Sequence, residues 1–344
     1  MNILNCMLLK WNAGTENAFL TYAKALQELN FNVINLVHKD AQIIPALEKN
    51  NLSYIKSLLL GSLGKYDIFT LIYFKYLIKK HRINLVIAHH GRVATLFKKL
   101  RNKNLKVIVV NHGVNPKHSV GSDFAINLNS HNLRETIRLG QDKSRAGIMP
   151  NSLEDSQNIV VKKSLNEVFT IGSFGRFSPE KGYPNLIEAL NILNQKNLDF
   201  RVFIGGDGEE KNIIEDLIAK YNLEKKVKLT GWVLDKSEFF SKIDLFILPS
   251  NKEEFGLVLL EAMLYKTLIL ATSCHGPNDI IIDGENGFLC EINNPKLMAE
   301  KIIKIIKINN ANAFISKASQ DLQSKFSYDN FKKMLFEILS KNNS

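Results

Sequence analysis

Two carboxylates and two cations are the residues in this chain best placed to do chemistry. Ser250 to Glu261 reads S-N-K-E-E-F-G-L-V-L-L-E, with Glu253 and Glu261 eight residues apart. Ile243 to Leu248 is a short apolar run closed by Pro249, the pattern of a buried strand. Leu257 to Leu264 is apolar and built from good helix formers, so it reads as a buried helix. Gly256 then falls at the turn from strand to helix. Backbone amides at such a helix start have no intrahelical partner and favour an anion. Gly256, Leu257 and Val258 are therefore an expected anion-binding turn, with Glu253 on the loop before it and Glu261 about two turns inside the helix. A solvated Glu pair beside an ordinary helix is the plain alternative, and a second block of sequence weighs against it.

That block is Gly175-Arg176-Phe177-Ser178-Pro179-Glu180-Lys181-Gly182, which follows the apolar run Val168 to Gly172. Pro179 and Gly182 mark a loop, and Tyr183 to Leu193 reads as the next helix. Arg176 and Lys181 thus sit beyond the carboxyl end of a strand, beside a helix start. A guanidinium fork and an ammonium point charge together suit a diphosphate. Paired carboxylates near an anion hole are a poor arrangement for phosphate alone. They suit a ligand with phosphates at one end and hydroxyls at the other, such as a nucleotide-sugar.

Together these blocks resemble the retaining nucleotide-sugar glycosyltransferases of the GT-B fold, family four or group 1. The pattern G-R-x4-K-G is matched at Gly175, Arg176, Lys181 and Gly182, and E-x-F-G-x4-E at Glu253, Phe255, Gly256 and Glu261. Gly205-Gly206-Asp207-Gly208 and Gly231-Trp232-Val233 fit between them, so the resemblance covers Val168 to Leu289 and is weaker in the amino-terminal half. It implies two α/β, Rossmann-like, doubly wound domains facing a central cleft, with the last helix returning to the first domain. It also implies a donor site in which Arg176 and Lys181 meet the diphosphate with the amides near Gly256. Glu261 would take the ribose, Glu253 the transferred sugar, and Gly231-Trp232-Val233 the base; Gly14 and Gly175 would approach the donor closely. The transfer would retain anomeric configuration, with Glu253, Arg176, Lys181 and His90 as catalytic residues. No Asp-x-Asp pair precedes an apolar strand end, so no metal is expected, and no cofactor beyond the nucleotide-diphosphate-sugar co-substrate.

The elements that must position these residues follow from alternation of strand and helix. The chain of 344 residues, 45% hydrophobic and 23% charged, fits two ordinary globular domains. Residues 1–158, completed by 326–344, are expected to form the acceptor-binding domain, and 159–325 the donor-binding domain. Asn2 to Leu8 reads as the first strand, Lys10 to Asn17 as a loop carrying Gly14, and Ala18 to Leu29 as a helix. The family usually has two glycines before Thr-Glu here; Ala13 replaces one. Ile83 to Ala88 is a buried strand ending at His89-His90, at the sheet edge where open α/β folds bind ligands. The family often has His-x-His here, its second His meeting the transferred sugar, which favours His90 over His89. Lys106 to Val110 ends at Asn111-His112-Gly113. His89 and His112 are acceptor-side candidates, a local structural role being the alternative for each. Asn151 to Ser164 reads as the linker, and Phe326 to Leu339 as the final amphipathic helix. Three further departures stand out: Ser152 replaces a family Gly, Tyr265-Lys266-Thr267 replaces a Gly- and Pro-bearing link, and the glycine turn at 205–208 lacks the third Gly of a dinucleotide fingerprint. No such fingerprint follows the first strand, which argues against a nicotinamide oxidoreductase.

Charge is unevenly spread. Residues 1–150 hold 21 Lys and Arg against 8 Asp and Glu, a net +13, while the remainder nets −2. Such a field attracts an anionic partner. No helix-turn-helix, RNP or zinc motif is present, so nucleic acid is set aside in favour of an anionic membrane surface. The run Leu58 to Leu63 and the aromatics Phe69, Tyr73, Phe74 and Tyr76 would add an apolar face, a core helix with basic flanks being the alternative. No apolar run approaches the ~20 residues that span a bilayer, Ile3 to Leu9 is too short for a signal sequence, and Cys6, Cys274 and Cys290 lack metal spacing and fit a reducing compartment. The expected place is the cytoplasm, peripheral on the inner face of the membrane. The expected acceptor is a lipid-linked saccharide or a lipopolysaccharide or capsule precursor. A GT-B nucleotide-sugar epimerase and a non-catalytic nucleotide-sugar-binding protein are the alternatives.

Overall fold

A computed structural model describes residues 1–10, 13–57, 67–89, 91–113, 115–153 and 166–342. It divides into two units, Met1–Ser152 with Tyr328–Ser344, and Leu153–Ser327. The crossings thus fall at 152/153 and 327/328, where the sequence places them at 158/159 and 325/326. An isolated parallel bridge joins Leu153 to Ser327 at the two ends of the second unit.

The first unit runs β1 (Asn2–Met7), α1 (Ala13–Glu28), β2 (Asn32–His38), α2 (Ile44–Lys49), β3 (Tyr54–Ser57), α3 (Ile68–Lys80), β4 (Leu85–Ala88), α4 (Gly91–Leu100), β5 (Lys106–Asn111), β6 (Phe124–Asn127), α5 (Ser130–Arg138) and β7 (Ala146–Ile148). Its strands are all parallel in the order β3-β2-β1-β4-β5-β6-β7. Successive side chains alternate faces. Leu4, Cys6, Val86, Ala88, Val107 and Val109 pack toward Phe74, Val93 and Phe97 of α3 and α4. Ile3, Leu85, Ile87, Ile108 and Val110 pack toward Tyr22 and Leu26 of α1 on the other face. Both faces being covered, β4 and β5 are near-continuous apolar runs rather than alternating ones.

The last helix, α13 (Tyr328–Lys341), completes that second layer. Phe331, Leu335 and Leu339 are buried in the α1 core, Phe331 meets Tyr22 edge-on with centroids 5.0 Å apart, and Lys332 Nζ lies 3.0 Å from Glu28. Each such apolar side chain contributes about 1.5–3 kcal/mol on burial. The amphipathic spacing that marks this helix in the sequence is thus the imprint of the first unit's core.

One expectation is corrected here. The segment read as a loop to Asn17 is already helical from Ala13, so Gly14 stands in the first turn of α1 rather than on a loop. No proline falls between Ala13 and Asn17, and Glu16 in the first turn complements the helix dipole. A Cβ at Gly14 would meet nothing within 4 Å, so protein packing does not demand glycine there.

The second unit runs β8 (Thr170–Phe174), α6 (Tyr183–Gln195), β9 (Arg201–Gly205), α7 (Lys211–Lys220), β10 (Val227–Gly231), α8 (Lys236–Ser241), β11 (Leu245–Leu248), α9 (Leu257–Leu264), β12 (Leu268–Thr272), α10 (His275–Ile280), β13 (Phe288–Cys290), α11 (Pro295–Ile306) and α12 (Ala311–Lys325). Its parallel sheet has the order β10-β9-β8-β11-β12-β13. Chain order reverses between β8 and β11, which pair Ile171 with Leu245 and Gly172 with Phe246. In open parallel sheets the carboxyl edge at that reversal is where ligands bind.

Candidate functional site

The two sequence blocks that carry the cations and carboxylates are the loops leaving β8 and β11, the two strands flanking the reversal. Backbone hydrogen bonds fasten these loops to each other. Asn251 and Lys252 donate their amides to the Glu180 carbonyl at 2.8 and 3.0 Å, and Asn251 Nδ2 donates to the Pro179 carbonyl at 2.8 Å. Asn185 Nδ2, from the first turn of α6, donates to Asn251 Oδ1 at 3.1 Å. Gly182 sits between them at φ +64°, and a Cβ there would lie 2.2 Å from the Pro249 carbonyl oxygen. Both its conformation and the approach of the second loop exclude a side chain. Gly206, from the turn after β9, is held as tightly: at φ +141°, its Cβ would lie 1.9 Å from the Gly175 carbonyl oxygen.

That turn fixes the start of the Arg-Lys loop. Gly175 donates to the Gly205 carbonyl at 3.0 Å and Phe177 to the Asp207 carbonyl at 2.9 Å. Phe177 is buried against Tyr183, ring centroids 4.9 Å apart, so the loop is anchored at a core aromatic between its two cations. Arg176 is exposed, and its guanidinium has no hydrogen bond or ion pair with the described residues. Pro179 to Lys181 is a turn of 3-10 helix that raises Lys181 toward the second loop. There Lys181 Nζ meets Glu253 Oε2 at 2.7 Å.

The second loop is pinned from behind. Phe255 is buried, edge-on to Phe326 at 6.2 Å, and the Gly276 amide donates to the Glu253 carbonyl at 3.0 Å. Gly256 then opens α9 from the left-handed region, with Leu257 and Val258 in the first turn. Glu261 is the fifth helical residue, little more than one turn inside rather than two. Its side chain is buried, at 7% exposure. Oε1 accepts from Lys236 Nζ at 2.5 Å, whereas Oε2 is buried with no hydrogen-bond partner among the described residues. Burial pushes this carboxyl above the usual carboxylate range, and Lys236 pulls it part of the way back. Lys236 has no signal in the sequence: it is one lysine among many, and only the fold brings it from the start of α8 to α9. Asp235 caps α8 by accepting from the Glu238 amide at 2.9 Å. Next to it, the Gly231 carbonyl accepts from the Gly206 amide at 2.7 Å, Val233 packs against Gly205, and Trp232 is exposed.

The arrangement is one sheet edge with a free guanidinium, an ammonium held by one carboxylate, and a second buried carboxylate with one oxygen wanting a donor. An unmet acceptor of this kind costs about 1–3 kcal/mol in the absence of a partner. A ligand bringing anionic oxygens to Arg176 and Lys181, and hydroxyl donors to Glu253 and Glu261, would satisfy all four. Among the described residues no three His, Cys, Asp or Glu side chains group to hold a metal ion.

In the first unit, His90 lies outside the described residues. His89 is 3% exposed, with Nε2 2.8 Å from Asn5 Oδ1 and Nδ1 2.9 Å from His112 Nε2. Phe19 and Tyr22 meet its ring edge-on at 5.3 and 4.7 Å. Both of its nitrogens are therefore engaged inside the protein, which gives it the structural role held open above. His112 is half-buried at the carboxyl edge. Burial holds the His89 ring well below the usual histidine range and lowers that of His112 to about 4, so both are neutral at pH 7.

Residues 155–321 match the family described as Glycosyl transferases group 1. An uncharacterized glycosyltransferase of Methanocaldococcus jannaschii is 28% identical over 275 residues, 74% of each chain. The capsular polysaccharide biosynthesis glycosyltransferase CapM of Staphylococcus aureus is 31% identical over 157 residues, 45% of this chain and 40% of that one. Among solved structures, HepE of Anabaena in complex with UDP superimposes with a TM-score of 0.87 at 20% identity, covering 99% of this chain and 100% of that one. At that identity the likeness establishes the fold, two parallel-sheet α/β domains of the GT-B kind.

The Lys181–Glu253 pair generates a prediction with an unusual sign. A part-exposed ion pair is worth about 0.2–1 kcal/mol, and an arriving diphosphate competes with Glu253 for that ammonium. Glu253→Gln should therefore tighten binding of UDP by roughly 2–5-fold in a calorimetric titration. Unchanged or weaker binding would mean that the pair does not compete with the ligand.

Proposed function

We propose, from the match of residues 155–321 to the group 1 glycosyltransferases, that the chain moves a hexosyl group from a nucleotide-diphosphate-sugar to a saccharide acceptor with retention of configuration. The observation that carries this reading is the fastening of two loops at the sheet reversal, which gathers Arg176, Lys181, Glu253 and Glu261 on one edge. Departure of the sugar leaves charge on the diphosphate. Arg176, Lys181 and the amides of Gly256, Leu257 and Val258 strengthen their hold as that charge grows, which accelerates transfer rather than merely binding. Glu261 Oε2 accepts from a ribose hydroxyl, a donor that its buried position lacks. Glu253, drawn off Lys181 by the phosphates, takes hydroxyls of the transferred sugar. The base lies at Gly231, Trp232 and Val233, and the acceptor attacks from the face that the diphosphate leaves. Fixed cations do the electrostatic work of a metal, so the reaction is metal-independent.

The acceptor is a lipid-linked saccharide or an envelope polysaccharide precursor, and the protein works at the cytoplasmic face of the membrane. Support comes from the relationship to CapM, named for capsular polysaccharide biosynthesis, and from α3. Ile68, Phe69 and Ile72 on this helix are 65%, 72% and 62% exposed, and Tyr76 continues the same face. Thr70, Phe74 and Leu77 are buried on the opposite side. Lys75, Lys79 and Lys80 interleave with the exposed apolar residues, and the surrounding half of the chain nets +13. The aromatic stretch of the sequence thus splits: Phe74 belongs to the core, as the alternative reading had it, while Phe69 and Tyr76 do not. The run at 58–63 lies outside the described residues. Each Lys or Arg near an anionic leaflet is worth about 1 kcal/mol, and the apolar face adds burial to it. No helix among the described residues is long and apolar enough to cross a membrane.

Arg176→Ala and Lys181→Ala should each lower sugar transfer by roughly 10²–10³, the scale for losing one preorganised donor; full turnover in both variants would remove the diphosphate assignment. EDTA should leave turnover intact, and its abolition would restore a metal to the mechanism. Vesicles containing phosphatidylglycerol should sediment the protein at low salt and release it as salt rises. Phe69→Glu with Ile72→Glu should abolish that sedimentation while sparing UDP binding, and binding that survives this change would place the contact elsewhere.

A further inference from the structure

A line of hydrogen bonds runs through the first unit's buried sheet to a single half-buried ring. Asn35 Nδ2 donates to the Ser53 carbonyl at 2.9 Å, which turns Asn35 Oδ1 toward Asn5. Asn5 Nδ2 donates to that oxygen at 2.9 Å, which in turn points Asn5 Oδ1 at His89. An amide oxygen only accepts. His89 Nε2, 2.8 Å away, must therefore carry the proton, and in the neutral ring Nδ1 is left as a lone pair. His112 Nε2 lies 2.9 Å from that lone pair, so it must be the protonated nitrogen of its own ring.

The sequence of donors has one polarity and one end. A backbone carbonyl that can only accept starts it, just before β3, and each side chain passes the same sense to the next through β2 and β1 to the loops after β4 and β5. Asn5, Asn35 and His89 are each 3% exposed or less, so water does not compete along the way. A buried polar network of this kind is retained only when each member is satisfied. Apart from His89, the described residues offer no hydrogen-bond partner to the His112 ring.

We infer that Asn5, Asn35 and His89 are positioning residues that hold His112 as a neutral Nε2–H ring and so present its Nδ1 lone pair at the carboxyl edge of the first sheet. A ring held in this state accepts a hydrogen bond and cannot give one. It takes a sugar hydroxyl and turns away a carboxylate or phosphate oxygen, which brings only further lone pairs. On the proposed transferase reading, on which this ligand assignment rests, His112 therefore selects a neutral hydroxyl-bearing part of the substrate over a uronic acid or sugar phosphate. Sequence reading offers His89 and His112 as equivalent candidates. The relay separates them, His89 facing inward and His112 outward.

The tautomer can be read without turnover. Long-range proton–nitrogen spectra of the full chain, with nitrogen-15 histidine at pH 7, should show His112 with Nε2 protonated and Nδ1 bare, its signals assigned by their loss in His112→Gln. His89→Leu removes the acceptor, and the two His112 nitrogen shifts should move toward the averaged values of a free ring. His89→Gln can donate to Asn5 and accept from His112, and should hold the wild-type shifts. In transfer assays His89→Leu should lower kcat by roughly 5–10-fold, the scale of one net hydrogen bond, with UDP affinity unchanged, and His89→Gln should recover most of that loss. A wild-type His112 that is Nδ1-protonated, cationic or averaged overturns the relay, as do His112 shifts that ignore His89→Leu. The expected spectrum in a chain that transfers no sugar would leave the relay standing and sink the transferase reading instead.

Discussion

The second unit depends on how closely two backbones approach at the reversal of its sheet. The Pro249 carbonyl passes so near Gly182 that no Cβ fits, and the amides of Asn251 and Lys252 close on the Glu180 carbonyl. This contact makes one edge of two loops that are some 70 residues apart in sequence. Without it Lys181 would not reach Glu253, and the cations and carboxylates would be four unrelated surface groups. Gly182 is thus a constraint on the approach of the two loops.

Within that edge, two residues of identical chemistry are given different environments. Glu253 is paired with a part-exposed lysine and lies where solvent and ligand can exchange with it. Glu261 is buried, with its two oxygens in different states, one held by Lys236 and one without a partner among the described residues. Its raised pKa means that the unliganded unit is steadier with this carboxyl protonated and loses that increment as pH climbs through the folded-state value. A hydroxyl donor at Oε2 would offset part of the cost. The first carboxylate is poised to change partners and the second to receive one.

The first unit solves a different problem with the same sheet. Its parallel strands are apolar on both faces, yet Asn5, Asn35, His89 and their carbonyl anchor thread a polar line through them. Helices α1 and α13 cover one face and α3 and α4 the other, but α3 is apolar on its outer side as well. The basic excess of this half of the chain surrounds that outer side.

The sequence determined the alternation of strand and helix, the count of two domains and the identity of the four charged residues, because these rest on local periodicity and on spacings within one loop. It also carried the return of the last helix, since the apolar stripe of Phe331, Leu335 and Leu339 is written in a few turns. It misjudged the start of α1, where a glycine read as a loop marker stands in the helix's first turn, and it set Glu261 two turns inside α9 although it had the bounds of that helix, Leu257–Leu264, as they are. Tertiary structure alone decided that Lys236 holds Glu261, that Lys181 holds Glu253, and that His89 is buried while His112, bonded to it, is half-buried. Those partners lie 25, 72 and 23 residues apart. A carboxylate's or an imidazole's state is set by what burial removes and which neighbour remains, and neither is written in the residues on either side of it.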